Sequence, residues 1–180
     1  VRDGGDRREN LDKMINAVEE TQTRGLNRAE HRLHLRCELP HHTTLPLFEK
    51  LVDREPVSLV SLMDHSPGQR QFASLEKYRE YYQGKYSLND VEMARYEEEQ
   101  LALAAQWSQP NRVSIAAMCR DRSIALASHD DATHDHVRES HQLGSVIAEF
   151  PTTFEAAEAS RAHGMNVLMG APNFVRGWLL

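Results

Sequence analysis

Ser123-Ile124-Ala125-Leu126-Ala127-Ser128, followed by His129-Asp130-Asp131-Ala132-Thr133, decides the fold. The first six residues read as a strand, and the polar turn after them opens a helix over 133–143. A second apolar stretch, 146–150, reads as another strand. Two strands joined by one helix must run parallel, because a hairpin turn cannot make that connection.

The rhythm continues in both directions. Pro151-Thr152-Thr153 leads into a helix over 154–162, closed by His163-Gly164, and a strand over 166–169 ends in Gly170-Ala171-Pro172-Asn173. Upstream, a strand over 56–63 ends in Asp64-His65-Ser66-Pro67-Gly68, preceded by a short helix over 46–53. The stretch 31–39 alternates, with Leu33, Leu35 and Cys37 on one side and His34, Arg36 and Glu38 on the other. Leu11, Met14, Ile15, Val18 and Thr21 give a helix over 10–24, with Gly25 as its C-cap. The interval 69–109 breaks the rhythm. It is helical and aromatic, with Phe72, Tyr78, Tyr81, Tyr82, Tyr86 and Tyr96, and Ser87 or Asn89 caps a helix start inside it. A separate helix over 111–122 follows, with Ile115 and Met118 facing inward.

At least five strands in this order suit an α/β fold, a partial (β/α)8 TIM barrel with a helical insertion over about 69–110. A whole barrel takes about 250 residues and the chain has 180. The expectation is one incomplete barrel domain over 1–180 with about five of eight strands. The competing fold is a doubly wound open sheet, although no glycine-rich phosphate fingerprint follows any strand. The chain opens on Val1 in a charged turn and closes just after a strand-and-loop pattern, so an internal piece of a longer protein is expected.

Composition narrows the function. The apolar fraction is 40% and the charged fraction 27%, both globular values. A formal charge of −6 argues against a generally basic nucleic-acid binder. No apolar run approaches the roughly 20 residues of a membrane span. Two cysteines make no disulfide framework and suit a reducing, cytoplasmic setting. Neither nucleic acid nor membrane is therefore an expected partner, and a homo-oligomer is compatible with this reading; a small-molecule substrate is what the resemblance below implies.

Ten histidines are the compositional oddity. In a parallel barrel the chemistry sits at the carboxyl ends of the strands. Glu38, Asp64-His65, His129-Asp130-Asp131, Glu149 and Asn173 all fall there. Imidazoles and carboxylates on converging strands suit a divalent metal that activates water. Glu38 has a second reading, as a partner of Arg36 or His34. Glu149 also reads as a buried hydrogen-bonding group, and one of Asp130 and Asp131 as a helix N-cap. His41 and His42 read as loop residues pointing apart. His134, His136, His141 and His163 read as solvent-facing. The insertion reads either as packed helices or as a lid, with Arg70, Lys77, Arg79 and Lys85 placing positive charge over an anionic ligand.

Five strings in order carry a resemblance. They are His31-Arg32-Leu33-His34-Leu35-Arg36-Cys37-Glu38, Leu62-Met63-Asp64-His65-Ser66-Pro67-Gly68-Gln69, Ala127-Ser128-His129-Asp130-Asp131-Ala132-Thr133, Ala148-Glu149-Phe150-Pro151-Thr152-Thr153 and Val167-Leu168-Met169-Gly170-Ala171-Pro172-Asn173. Over nearly the whole chain this closely resembles the amidohydrolase-superfamily hydrolases of the carbon–phosphorus lyase pathway. The resemblance implies hydrolysis of α-D-ribose 1-methylphosphonate 5-triphosphate to the 5-phosphate and diphosphate, with a divalent metal ion, zinc or manganese. It implies Glu38, His65 and His129 as metal ligands. Asp130 and Asp131 are the implied catalytic carboxylates, orienting a ligand or holding the attacking water. Asn173 and Arg176 are the substrate-binding candidates. The family also has a strand before Val1 and a glycine- and histidine-rich loop after Gly177, so this chain is expected to be inactive alone. Two other classes remain open: an amidohydrolase acting on a C–N bond, and a non-catalytic partial chain packing on a partner subunit.

Overall fold

The computed structural model describes residues 6–171. Its elements in order are α1 (Asp6–Thr23), β1 (Leu33–Glu38), α2 (Thr44–Leu51), β2 (Val57–Met63), a 3-10 turn (Arg70–Phe72), α3 (Leu75–Tyr86), α4 (Asp90–Asp121), β3 (Ala125–His129), α5 (His134–Gln142), β4 (Ile147–Glu149), α6 (Phe154–Ala162) and β5 (Asn166–Leu168). The five strands form one parallel sheet in the order β1-β2-β3-β4-β5. Each strand therefore lies beside its predecessor in the chain, without the order reversal of a doubly wound sheet. Among the described residues, no helix is long and apolar enough to cross a membrane.

The alternation in β1 is obeyed. Leu35 and Cys37 point into a core with Phe48 and Val52 from the α2 region, Val60 and Leu62 of β2, Ile115 and Cys119 of α4, and Leu126 of β3. Full burial of a side chain of this size contributes about 1.5–3 kcal/mol. A second core, built from Val137, Ala148, Ala156, Ala159 and Met165, joins α5 and α6 to β4. Its small side chains let those helices approach closely. Neither Asp130 nor Asp131 caps α5; the Thr133 side chain accepts from the His136 N–H, and Thr153 caps α6 in the same way. Thr153 Oγ1 also donates to the Ala132 carbonyl at 2.8 Å, joining the turns after β3 and β4.

One expectation changes and one alternative is resolved. The helix expected over 111–122 is the second half of α4, which runs unbroken through Pro110. An internal proline costs about 3 kcal/mol, but here both flanks are anchored. Met93 packs in a cluster with Phe72, Tyr78, Tyr82 and Tyr96, while Ile115 and Cys119 lie in the main core. Asn89, not Ser87, caps α4, in a reciprocal capping box with Glu92. The apolar stripe of α1 is largely covered: Ile15 is buried and Leu11, Val18 and Thr21 are half-buried, while Met14 alone of the five is exposed, at 65%. Polar contacts also fasten α1, from Arg54 to Glu19 and to Asn16 Oδ1.

Candidate metal centre

The ends of β1, β2, β3 and β4 meet around two imidazoles. Glu38 is the last residue of β1, and one of its oxygens lies 2.7 Å from His65 Nδ1. Its other oxygen accepts from the His65 backbone N–H at 3.1 Å, so ring and main chain are held together. His129 and Glu149 face each other in the β3–β4 register, with His129 Nδ1 2.8 Å from Glu149 Oε2 and both side chains buried. Each ring is thus gripped through Nδ1 by a glutamate, and each Nε2 lies toward Asp130. The two rings meet edge-on at 5.6 Å between centroids.

Asp130 completes the group. Its φ is +56°, in the left-handed region that non-glycine residues enter at a cost of about 1–3 kcal/mol. Its N–H continues the ladder to the Glu149 carbonyl, and its Oδ2 lies 3.6 Å from His65 Nε2 and 3.4 Å from His129 Nε2. The next residue faces elsewhere. Asp131 is fully buried and pairs with Arg70, another residue of positive φ. Arg70 also reaches Glu139, and Arg112 joins Glu139 to Asp64, both at 3.1–3.2 Å. This buried ionic network ties the turn after β2 to the turn after β3, directly behind His65 and Asp130.

The charges follow from these contacts. Burial pushes the His65 imidazole down, but hydrogen bonds to Asp130 and Glu38 outweigh it and raise the group to about 10. Burial pushes the Glu149 carboxyl up, and the His129 hydrogen bond together with the charges of His129, His34 and Arg36 outweighs this, leaving it below the usual carboxylate range. Burial, with like charge from Arg112, lowers Arg70 to about 10.

His65, His129 and Asp130 offer ligand atoms that all lie within 4.8 Å of one another. Separations near 3.5 Å suit donors that each stand about 2.1 Å from one divalent ion. The expected His65, His129 and Asp130 are therefore brought together. Glu38 lies beside them, with both oxygens engaged by His65. Asp131 is held apart in the ionic network. Asn173 and Arg176 lie outside the described residues. Glu149 reads as a buried hydrogen-bonding group in the sequence and is one here; nothing in the sequence names its partner as His129.

Of the four cations expected over an anionic ligand, two are paired with carboxylates, and Lys77 is exposed. Arg70 is buried among carboxylates, and Arg79 pairs with Glu97 at 2.6 Å. Lys85 lies over the Tyr81, Tyr82 and Tyr86 rings. The aromatic cluster does reach the centre, with Phe72 6.3 Å from the His65 ring. His41 and His42 do not point apart; their rings stack at 4.6 Å. His136 is half-buried, accepting from the Ala132 N–H, whereas His134, His141 and His163 are exposed as expected.

Fold and site together define the class: a parallel α/β protein with a histidine–carboxylate donor set at the carboxyl ends of its strands. The chain is similar to a curated diphosphatase. It is 87% identical over 177 residues to the alpha-D-ribose 1-methylphosphonate 5-triphosphate diphosphatase of Escherichia coli (strain K12). The match covers 98% of this chain and 47% of that enzyme, so the chain spans about half the length of the curated relative it matches. No family model matches the chain, and no solved structure matches it.

Proposed function

We propose that this chain is part of a metal-dependent hydrolase of phosphoric anhydrides, with a divalent zinc or manganese ion held by His65, His129 and Asp130. The reaction is hydrolysis of α-D-ribose 1-methylphosphonate 5-triphosphate to the 5-phosphate and diphosphate, the chemistry named for the relative. The observation that carries this reading is the convergence of two Nε2 atoms and Asp130 Oδ2 in a chain 87% identical to that diphosphatase. Sequential parallel strand order supports an amidohydrolase-type (β/α)8 barrel, of which residues 1–180 form one incomplete domain with a helical insertion over about 69–110. Buried Cys37 and Cys119, raised to about 12 and about 11 by burial, suit a reducing cytoplasm.

A bound divalent ion would polarise a phosphoryl oxygen and acidify a water molecule. Glu38 and Glu149 fix the rotation of both imidazoles and leave each Nε2 for the ion. Asp130 Oδ2 would complete the donor set, and its second oxygen would accept a proton from the attacking water. Asp131 acts on the centre through Arg70. Asn173 and Arg176 are proposed to meet the substrate. With about half of the relative's length, the isolated chain turns over no substrate.

The test replaces the matched segment of the E. coli enzyme with this chain. The graft should release diphosphate from the ribose triphosphate, and its His129→Ala form should not. A graft that instead releases ammonia from cyclic amides would sink this reading in favour of C–N hydrolysis.

A further inference from the structure

Arg36 stands out among the cations near the centre. It lies on the same face of β1 as Glu38, is exposed, and reaches across β2 past Met63 Sδ. Its Nη2 lies 3.0 Å from His129 Nε2. A guanidinium can only donate, so His129 Nε2 must accept and its Nδ1–H must point to Glu149. The lone pair that Arg36 occupies is the one a metal ion needs. Arg70 and Arg112 are neutralised by the buried Asp131 and Asp64 and the half-buried Glu139. Arg36 has no carboxylate within ion-pairing distance among the described residues; its partners are an imidazole nitrogen and a thioether sulfur. A charge left unpaired at the mouth of a metal centre suits an anionic ligand.

We propose that Arg36 is the anion-binding residue of this centre: it holds His129 Nε2 in the metal-free chain, yields that nitrogen to the ion, and then donates to a phosphoryl oxygen of the ligand. The proposal rests on the metal reading above, and it adds a specificity residue that the expected substrate contacts, Asn173 and Arg176, do not include. It also explains how a chain of charge −6 presents a cation to a phosphorylated ligand after the insertion's arginines are neutralised. Arginine suits this task better than lysine, because its planar fork can grip two phosphoryl oxygens at once.

The experiment uses the 180-residue chain with zinc alone, and then the manganese-loaded chain with inorganic phosphate, read by phosphorus relaxation. Arg36→Gln should tighten zinc by about fivefold, the worth of one ordinary hydrogen bond. It should weaken phosphate by about tenfold, the worth of a charge-assisted bond. Arg36→Lys, which keeps the charge, should recover part of the phosphate affinity, and it carries the test if the glutamine variant loses its circular dichroism. Unchanged phosphate affinity in Arg36→Gln, with zinc still dependent on His129, overturns the proposal alone. Zinc binding that is indifferent to His129→Ala sinks the metal reading and this proposal with it.

Discussion

His129 Nδ1 and Glu149 Oε2 stand 2.8 Å apart between adjacent strand ends, both side chains buried. The glutamate therefore sets the orientation and the hydrogen-bonding nitrogen of the ring before any ligand arrives. Glu149→Gln should weaken zinc by about 10- to 100-fold, the usual loss when a carboxylate behind a ligating histidine is replaced. Calorimetric titration checks this; an affinity equal to the parent chain would show that the ring needs no such support.

The consecutive aspartates should separate cleanly. Asp131 is fully buried against Arg70, and removing one member of such a pair strands the other charge. Asp131→Ala should cost about 3–5 kcal/mol in urea unfolding. Asp130 adopts φ +56°, which asparagine tolerates well. Asp130→Asn should keep its stability within about 0.5–1 kcal/mol yet lose zinc affinity. The reverse pattern would place the donor on the wrong residue.

Stability of the metal-free chain should peak in mildly acidic solution. His65 is raised to about 10, above its unfolded value of about 6.5. Its contribution is complete below about 6.5 and is lost as pH rises through about 10. Glu149 is depressed, so its contribution is present above about 4.3 and is lost as pH falls through its lowered value. Thermal melts across pH should show the alkaline loss diminished in His65→Ala. Because the ion competes with the proton on His65, zinc affinity should also rise with pH.

Asn111, the residue after Pro110, donates from its buried Nδ2 to the Leu39 and His41 carbonyls at 2.8 and 3.0 Å. Asn111→Ala takes the donor from the buried Leu39 carbonyl and one of the donors from the His41 carbonyl, which keeps the Thr44 N–H, and should cost about 1–3 kcal/mol. A denaturation midpoint identical to the parent's would show that water takes the amide's place.

Much of this was legible in the sequence. Strands of about one βα repeat give a parallel sheet on spacing alone, and the alternation at Leu33–Glu38 assigns both faces of β1. His65, His129 and Asp130 were legible as strand-end residues. Their partners were not, because pairing across strands depends on register, and a one-residue slip turns every side chain over. Arg36 reads as a neighbour of Glu38, yet it reaches instead to β3. Asp131 and Arg70 are 61 positions apart, and each is aimed by a positive φ at Asp130 or at Arg70 itself that no residue type announces. Pro110 reads as a helix end, because the anchors that carry α4 through it lie in two different cores.

That continuous α4 has a mechanical consequence. Its front end is clamped among the tyrosines beside His65, and its rear lies beneath β2 and β3, so it works as one beam joining roof to floor. The tyrosines of α3 rest on that beam through Met93 and Tyr96. A load on the aromatic cluster therefore passes along α4 toward Arg112 and its pair with Asp64. The place where the beam yields most easily is Pro110, which lacks one backbone hydrogen bond.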